Sequence, residues 1–364
     1  MDACLKIIVE NFGKNDMLIV YRKQERRHMV TIFDVAKEAG VSKSTVSRVI
    51  NRDPRVKKET REAVENAIRK LDYSPSYMAQ AIRTRKTHTI ALVVPEYSNI
   101  FYTEMFRGVE DIALKYGYMV MVCNTERHAM SEIDYTNELL KRNIDGIIYN
   151  TYRTDDEMAD YLRQISEQLP IVYMNKISDE NANYSYVYTD GFKSSRKAVH
   201  YLYDKGKHKL GYVMNSEDIS IIEDRYEGFI QGLTDCGLEV NEKWVYRVQR
   251  ENEPDYIKLG RDAAKYYASL SDRPDALLTA TDMLAIGCVK GFNEGKIRIP
   301  EEISVIGFDN VFVSALIDPP LTTIAQPVRK MGQTAAEILI SKLQGKEVQN
   351  KIVFEGKLIV RETT

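Results

Sequence analysis

The sequence predicts two architectures in one chain: a small all-α head and a large α/β body. Apolar residues recur at helical spacing between Ile32 and Leu71, whereas beyond Thr89 short apolar runs alternate with amphipathic stretches. Charge divides at the same place. Residues 29–88 hold 13 Lys/Arg against 7 Asp/Glu, and residues 89–364 carry a net charge of −10. The 364 residues, 44% hydrophobic and 29% charged, exceed one ordinary domain and suffice for more than one core.

Composition removes several classes. Cys4, Cys123, Cys236 and Cys288 form no CxxC pair, which excludes a disulfide framework and a cysteine zinc site and suits a reducing cytoplasm. The five histidines show no metal-ligand spacing, and no apolar run is long enough to span a bilayer. No metal and no cofactor is expected. GxSxG, P-loop and dinucleotide glycine motifs are absent, so the chain is not expected to be an enzyme.

Residues 1–28 hold two short apolar runs followed by Arg22-Lys-Gln-Glu-Arg-Arg-His28. A secretory signal has the opposite order, which argues against export. Glu25-Arg26-Arg27-His28 before Met29 is what a purine-rich ribosome-binding site would encode in frame, so Met29 is the expected physiological start.

In the head, the spacing predicts a helix over Ile32 to Ala39, a turn at Gly40, and a second helix capped by Ser42. Lys43, Ser44, Ser47 and Arg48 fall at about 0°, 100°, 40° and 140° on its wheel, and Val46, Val49 and Ile50 on the other side. That is a helix-turn-helix with an exposed donor-rich face. A third helix over Lys58 to Leu71 closes the core through Val64, Ile68 and Leu71. A basic head on an acidic body is the distribution expected of a protein whose head meets DNA. After Pro75 a short segment bearing Met78, Ala79 and Ile82 reads as a linker or a hinge helix.

The run Thr31–Asn51, with Thr60-Arg61, Tyr73 and Pro75, resembles the headpiece of lactose-repressor/galactose-repressor (LacI/GalR) family transcription regulators. The resemblance extends from Met29 almost to the end of the chain. It implies that Lys43, Ser44 and Arg48 face base edges, with Arg48 the strongest reader. It also implies that Thr31, Ser42, Thr45, Ser47 and Asn51 hold phosphates. Ala79 and Ile82 would enter the minor groove of a pseudo-palindromic operator, Ile82 standing where the family has leucine. Lys57 stands where a serine usually caps the third helix.

In the body, the strands expected are Ile90–Pro95, Met119–Asn124, Gly146–Asn150, Ile171–Asn175, Leu210–Met214, Ala276–Thr279, Ile303–Asp309 and a final Ile352–Val360. Helices are expected over Glu104–Tyr116, Glu132–Arg142, Ser194–Lys205, Asp224–Cys236, Asp282–Glu294 and Val328–Gln344. So many βα units imply two lobes. Ligands of such sheets bind beyond the carboxyl ends of the strands. Asn99, Phe101, Tyr102, Asn150, Asn175, Asp190, Thr281 and Asp309 lie there, and Arg225 opens a helix. Amides, carboxylates and a guanidinium suit a sugar's hydroxyls, although Asn and Asp at strand ends equally serve as turn or cap residues.

The family's body is similar to type I periplasmic binding proteins. That implies chain crossings near 188, 326 and 346, hence one lobe of about 89–188 with 327–345 and another of about 189–326 with 346–364. The head then covers 29–75 and the hinge 76–88. The resemblance also marks Arg225, Asp309 and Asn150 as pocket residues. It implies a homodimeric repressor of carbohydrate genes controlled by a small sugar-like effector, with no heptad tail for a tetramer. Asn99-Ile-Phe-Tyr102 and Gly108-Val-Glu-Asp-Ile112 are similar to the catabolite control protein A branch, which takes a phosphorylated phosphocarrier protein as corepressor. That branch's partner-contacting arginines are Gly295 and Asp318 here, which argues against such a partner. Across classes, the alternative is a sugar-binding protein without gene control.

Overall fold

The computed structural model describes residues 30–51, 53–74, 86–96, 99–125, 132–151, 156–176, 185–215, 219–248 and 255–364. The N-terminal extension, Met29, and the hinge with Ala79 and Ile82 lie outside the described residues. The chain forms two compact units, which divide between Arg85 and Lys86.

The head is three helices: α1 (Ile32–Glu38), α2 (Lys43–Ile50) and α3 (Lys58–Leu71). The Asp34 carboxylate accepts from both the backbone N–H and the hydroxyl of Thr31, which fixes the start of α1. Gly40 turns the chain at φ +64°, a conformation that side chains resist. Ser42 accepts from the Thr45 N–H and caps α2. Val35, Val46 and Val64, one from each helix, are fully buried and form the centre of the core. α3 starts at Lys57 without a side-chain cap. Its far end is tied to α1 by Lys70 and Glu38 at 2.6 Å.

Among the described residues, the body contains two six-stranded sheets. In chain order its elements are β1 (Thr89–Val94), α4 (Ile100–Lys115), β2 (Met119–Asn124), α5 (Glu132–Lys141), β3 (Gly146–Tyr149), α6 (Asp156–Ser166), β4 (Ile171–Tyr173), β5 (Ser185–Asp190), α7 (Gly191–Asp204), β6 (Leu210–Asn215) and α8 (Ile219–Asp235). Then follow β7 (Val245–Val248), α9 (Tyr256–Ser269), β8 (Ala276–Thr279), α10 (Asp282–Glu294), β9 (Ser304–Asp309), β10 (Thr322–Ala325), α11 (Val328–Leu343), β11 (Lys351–Glu355) and β12 (Lys357–Ile359). The first sheet, in order β11-β5-β4-β3-β1-β2, is parallel throughout. The second, β12-β10-β9-β8-β6-β7, is parallel except for β12.

Parallel strands covered on both faces read as unbroken apolar runs. In β1, Ile90, Leu92 and Val94 enter one core, while Ala91 and Val93 enter the core on the opposite face. The second lobe has its own core around Tyr212, Tyr267, Phe292 and Phe308.

The chain changes sheet after β5, between β10 and α11, and at Gly356. The last position departs from the expected crossing near 346, and the single strand expected over Ile352–Val360 is two. β11 pairs with β5 in the first sheet; β12 pairs with β10 in the second. A Cβ at Gly356 would lie 2.5 Å from the Ser194 hydroxyl and 2.7 Å from Ile324, so only glycine fits where the strand passes between lobes. The tail then stitches the second lobe together. Thr363 accepts from the Thr322 N–H at 2.8 Å and donates to the Val305 carbonyl at 2.6 Å, and Arg361 donates to Leu321 and Asn310.

Candidate functional site

Two sites are built on these scaffolds, one on each unit. In the head, α2 turns Val46 and Val49 inward and leaves Lys43, Ser44 and Arg48 exposed. The Ser42 hydroxyl lies 2.8 Å from that of Ser44 and 2.9 Å from that of Thr45, a ridge of short donors at the helix start. Helix N-termini of this kind favour anions. Lys43 stands 4.6 Å over the ring of Phe33, an exposed aromatic on α1. Ser47 is half-buried, and the Asn51 amide donates to its carbonyl at 2.6 Å. Thr31 and Asn51 are exposed at the two ends of this surface. Arg48, Arg55 and Lys57 border a shallow cleft between α2 and α3.

In the body, a cleft lies between the lobes. Eight of the nine expected residues line it: Asn99, Phe101, Tyr102, Asn150 and Asn175 from the first lobe, and Arg225, Thr281 and Asp309 from the second. Asp190 does not. Its carboxylate accepts from the Lys193 N–H at 2.9 Å and caps α7, leaving the neighbouring Thr189 and Gly191 to line the cleft. Asn99 and Thr281 also cap helices, accepting from Phe101 and Leu284 respectively.

The first-lobe wall is made mostly of amides and aromatic rings, with Lys176 its one charged lining residue among those described. The Asn150 and Asn175 amides donate to the Met174 and Thr151 carbonyls, at 3.2 and 2.6 Å. The Asn150 side-chain oxygen is buried without a protein partner. Phe101 and Tyr102 meet edge-on at 5.2 Å.

The second-lobe wall is ionic. The Arg225 guanidinium stacks on Phe308 at 3.8 Å, donates to the Ala280 carbonyl at 2.5 Å and faces Asp309 at 3.8 Å. Asp309 sits at φ +123° and accepts from Gln326 at 2.7 Å. Burial pushes its carboxyl above the ordinary range, and the guanidinium pulls it back. Behind it, Asp282 is wholly buried, accepting from the Thr323 hydroxyl and the Val311 N–H. Its carboxyl is pushed further up, by burial first and then by Asp309. The glycine of Ile306-Gly-Phe-Asp309 has a packing reason: a Cβ there would lie 2.2 Å from the Asp282 carboxylate.

Two charged lining residues were not expected from sequence. Lys176 follows Asn175 and pairs with Asp224 of the opposite lobe at 2.7 Å. Their adjacency to Asn175 and Arg225 was the available signal. Tyr188, Tyr256, Gln326 and Met283 also line the cleft.

A donor-rich helix face on a three-helix head, followed by a two-lobed body with a cleft, is matched in known proteins along nearly the whole chain. Residues 31–76 match bacterial regulatory proteins of the lacI family, and residues 199–364 match periplasmic binding protein-like domains. The HTH-type transcriptional repressor PurR of Photobacterium profundum is 33% identical over 346 residues, 92% of this chain and 98% of that protein. The chain belongs to the lacI family. Catabolite control protein A of Priestia megaterium is 32% identical to this lacI-family chain, over 89% of it and 96% of the relative. Among solved structures, a lac repressor dimer bound to operator and the anti-inducer ONPF superposes with a TM-score of 0.81 at 26% identity, covering 92% of this chain and 98% of that one. The transcriptional regulator CelR–cellobiose complex superposes at 0.68 with 27% identity, covering 92% of this chain and all of that one. This lacI-family protein is a DNA-binding transcription regulator whose body is an effector-binding domain. Among the described residues, no helix is long and apolar enough to cross a membrane.

Proposed function

We propose that the protein is a cytoplasmic repressor of carbohydrate-utilisation genes that binds a pseudo-palindromic operator as a homodimer and responds to a small sugar-like effector. The exposed Lys43–Ser44–Arg48 face of α2 is the observation that carries this reading. Lys43, Ser44 and Arg48 read base edges, while Thr31, Ser42, Thr45, Ser47 and Asn51 set register on phosphates. Ala79 and Ile82 serve the hinge. Dimerisation is supported by two apolar patches: Met119 and Leu114 on the first lobe, 70% and 61% exposed, and Phe312 and Leu316 on the second, 67% and 75% exposed. The effector occupies the cleft against Asn99, Phe101, Tyr102, Asn150, Asn175, Arg225, Thr281 and Asp309. Binding to one arrangement of the lobes better than the other shifts the DNA-competent population.

Gly295 ends α10 and Asp318 adds a carboxylate beside Lys296 and Arg298, so positions 295 and 318 themselves offer no cation to a phosphoserine-bearing corepressor. The reading assigns no catalysis. Selection from random duplexes at moderate salt, with and without candidate sugars, tests it. A preferred half-site repeated in opposite orientation is expected, and a folded protein with no preference would end the proposal. Arg48→Ala should then weaken the selected site by about 1–3 kcal/mol and relax one base position. Equal loss on all duplexes would make Arg48 a phosphate contact instead.

A further inference from the structure

We infer that Asp224 is a built-in anion that fills the cationic position formed by Lys176 and the start of α7 in the effector cleft and so restricts the cleft to uncharged ligands. This rests on the reading of the cleft as the effector site and names the class of molecule it takes.

One oxygen of the Asp224 carboxylate accepts from the Lys176 ammonium at 2.7 Å, and the other from the Phe192 N–H, in the first turn of α7, at 3.0 Å. An ammonium beside an N–H at a helix start is the donor set that receives a phosphate or carboxylate. Here Asp224, a side chain of the second lobe, occupies a position to which the first lobe contributes the ammonium. Gly191 makes the approach possible, since a Cβ there would lie 3.1 Å from the Asp224 carboxylate and 2.9 Å from the Arg225 stem. Asp224 is itself well shielded, its side chain 11% exposed.

The rest of the wall is also neutralised. Arg225, the other cation lining the cleft among the described residues, faces Asp309 and the Ala280 carbonyl. Two cations meet two carboxylates, so an arriving phosphate would find no unmatched positive charge and would meet Asp224 at close range. Among the buried side-chain atoms of the described lining residues, the Asn150 oxygen and the Arg225 Nε lack protein partners. One is an acceptor and the other a donor, a pairing that hydroxyls can match and that a second carboxylate or phosphate cannot. Asp224 thus acts as a specificity-determining residue that rejects phosphorylated or acidic sugars.

Thermal unfolding of the full chain in about 10 mM phosphate against chloride at equal ionic strength tests the position without knowledge of the effector. The wild type should shift no more in phosphate than in chloride. Asp224→Ser, which removes the carboxylate and leaves room, should gain about 2–4 °C specifically in phosphate. Adding Lys176→Gln should abolish that gain. A phosphate shift in the wild type equal to that of Asp224→Ser would overturn the inference, as would no gain in an Asp224→Ser protein that melts normally in chloride. Should that variant fail to fold, the wild type decides with matched pairs, glucose against glucose 6-phosphate and ribose against ribose 5-phosphate. Stabilisation by the neutral member alone supports the inference, and stabilisation by the phosphorylated member overturns it. If no sugar acts while the phosphate results hold, it is the carbohydrate reading that fails.

Discussion

In the first lobe, α4 and α11 cross where Gly108 and Gly332 lie. A Cβ on either would sit 2.1 or 2.4 Å from a carbonyl oxygen of the opposite helix. In the second lobe α9 and α10 cross at Gly260 and Gly287 with the same result, at 2.2 and 2.3 Å. The two lobes therefore use one packing solution, two helices brought to backbone contact over a parallel sheet. Their cleft walls share almost nothing. The first is built from aromatic rings, amides turned to their own backbone and the single cation Lys176; the second carries Arg225, Asp309 and Asp224, with Asp282 buried behind. The scaffold sets where the walls stand, and the residues at strand ends and helix starts set what each wall can bind.

The contrast is most exposed by Arg225→Ala. Removing the guanidinium leaves the buried Asp309 without its cation and with the Gln326 amide as donor, so a loss of about 3–5 kcal/mol near neutral pH is expected by urea denaturation. The effector response should vanish while operator affinity in the folded protein is kept. An unchanged response would remove Arg225 from the binding wall.

The shared scaffold is tested next. Gly108→Ala and Gly260→Ala should each destabilise by about 1–3 kcal/mol, because the neighbour is backbone and cannot rotate away. Similar losses in the two lobes would uphold the likeness, and a neutral result in one would break it.

The ionic wall should also make the second lobe sensitive to pH. The Asp282 carboxyl is held above its ordinary range, so the folded state binds a proton that the unfolded chain has released. Its contribution is most favourable below the ordinary carboxylate range and falls as pH rises toward neutrality. Asp282→Asn can keep both hydrogen bonds, since its oxygen can accept from Val311 and its amide can donate to Thr323. The variant should gain on the wild type by about 1–2 kcal/mol between pH 4 and 7. A constant difference across that range would show that Asp282 does not titrate there. The smallest change is expected among the amides of the first-lobe wall, where Asn150→Ala unpairs the Met174 carbonyl and should destabilise by about 1 kcal/mol with no pH dependence.

The head was legible because one wheel sorts α2 into valines that pack and polar residues that do not. The cleft was legible where chemistry and position coincide, as at Asn150, Arg225 and Asp309. It was incomplete at Asn99, which lines the cleft and also caps a helix, and it missed at Asp190. For both, ligand and cap roles stood level in the sequence, and the helices behind them were expected at Glu104 and Ser194. Both residues are caps, and the helices begin directly after them at Ile100 and Gly191. Recognising the cap would have placed the helix and, for Asp190, removed a pocket candidate. Lys176 and Asp224 could not be paired from sequence, because their partnership exists only across the two lobes. The strands Ser185–Asp190 and Thr322–Ala325 escaped because threonines and tyrosines give no apolar run, although Thr322 and Thr323 are fully buried.

The tail beyond Gly356 has a genetic consequence. Arg361 and Thr363 satisfy carbonyls and an N–H in and beside strands laid down long before them in synthesis, so the second sheet is completed only once residues 361–363 have been added. A nonsense codon at Arg361 should behave as a null allele, and a nascent chain with these residues still inside the ribosome cannot yet hold a completed lobe.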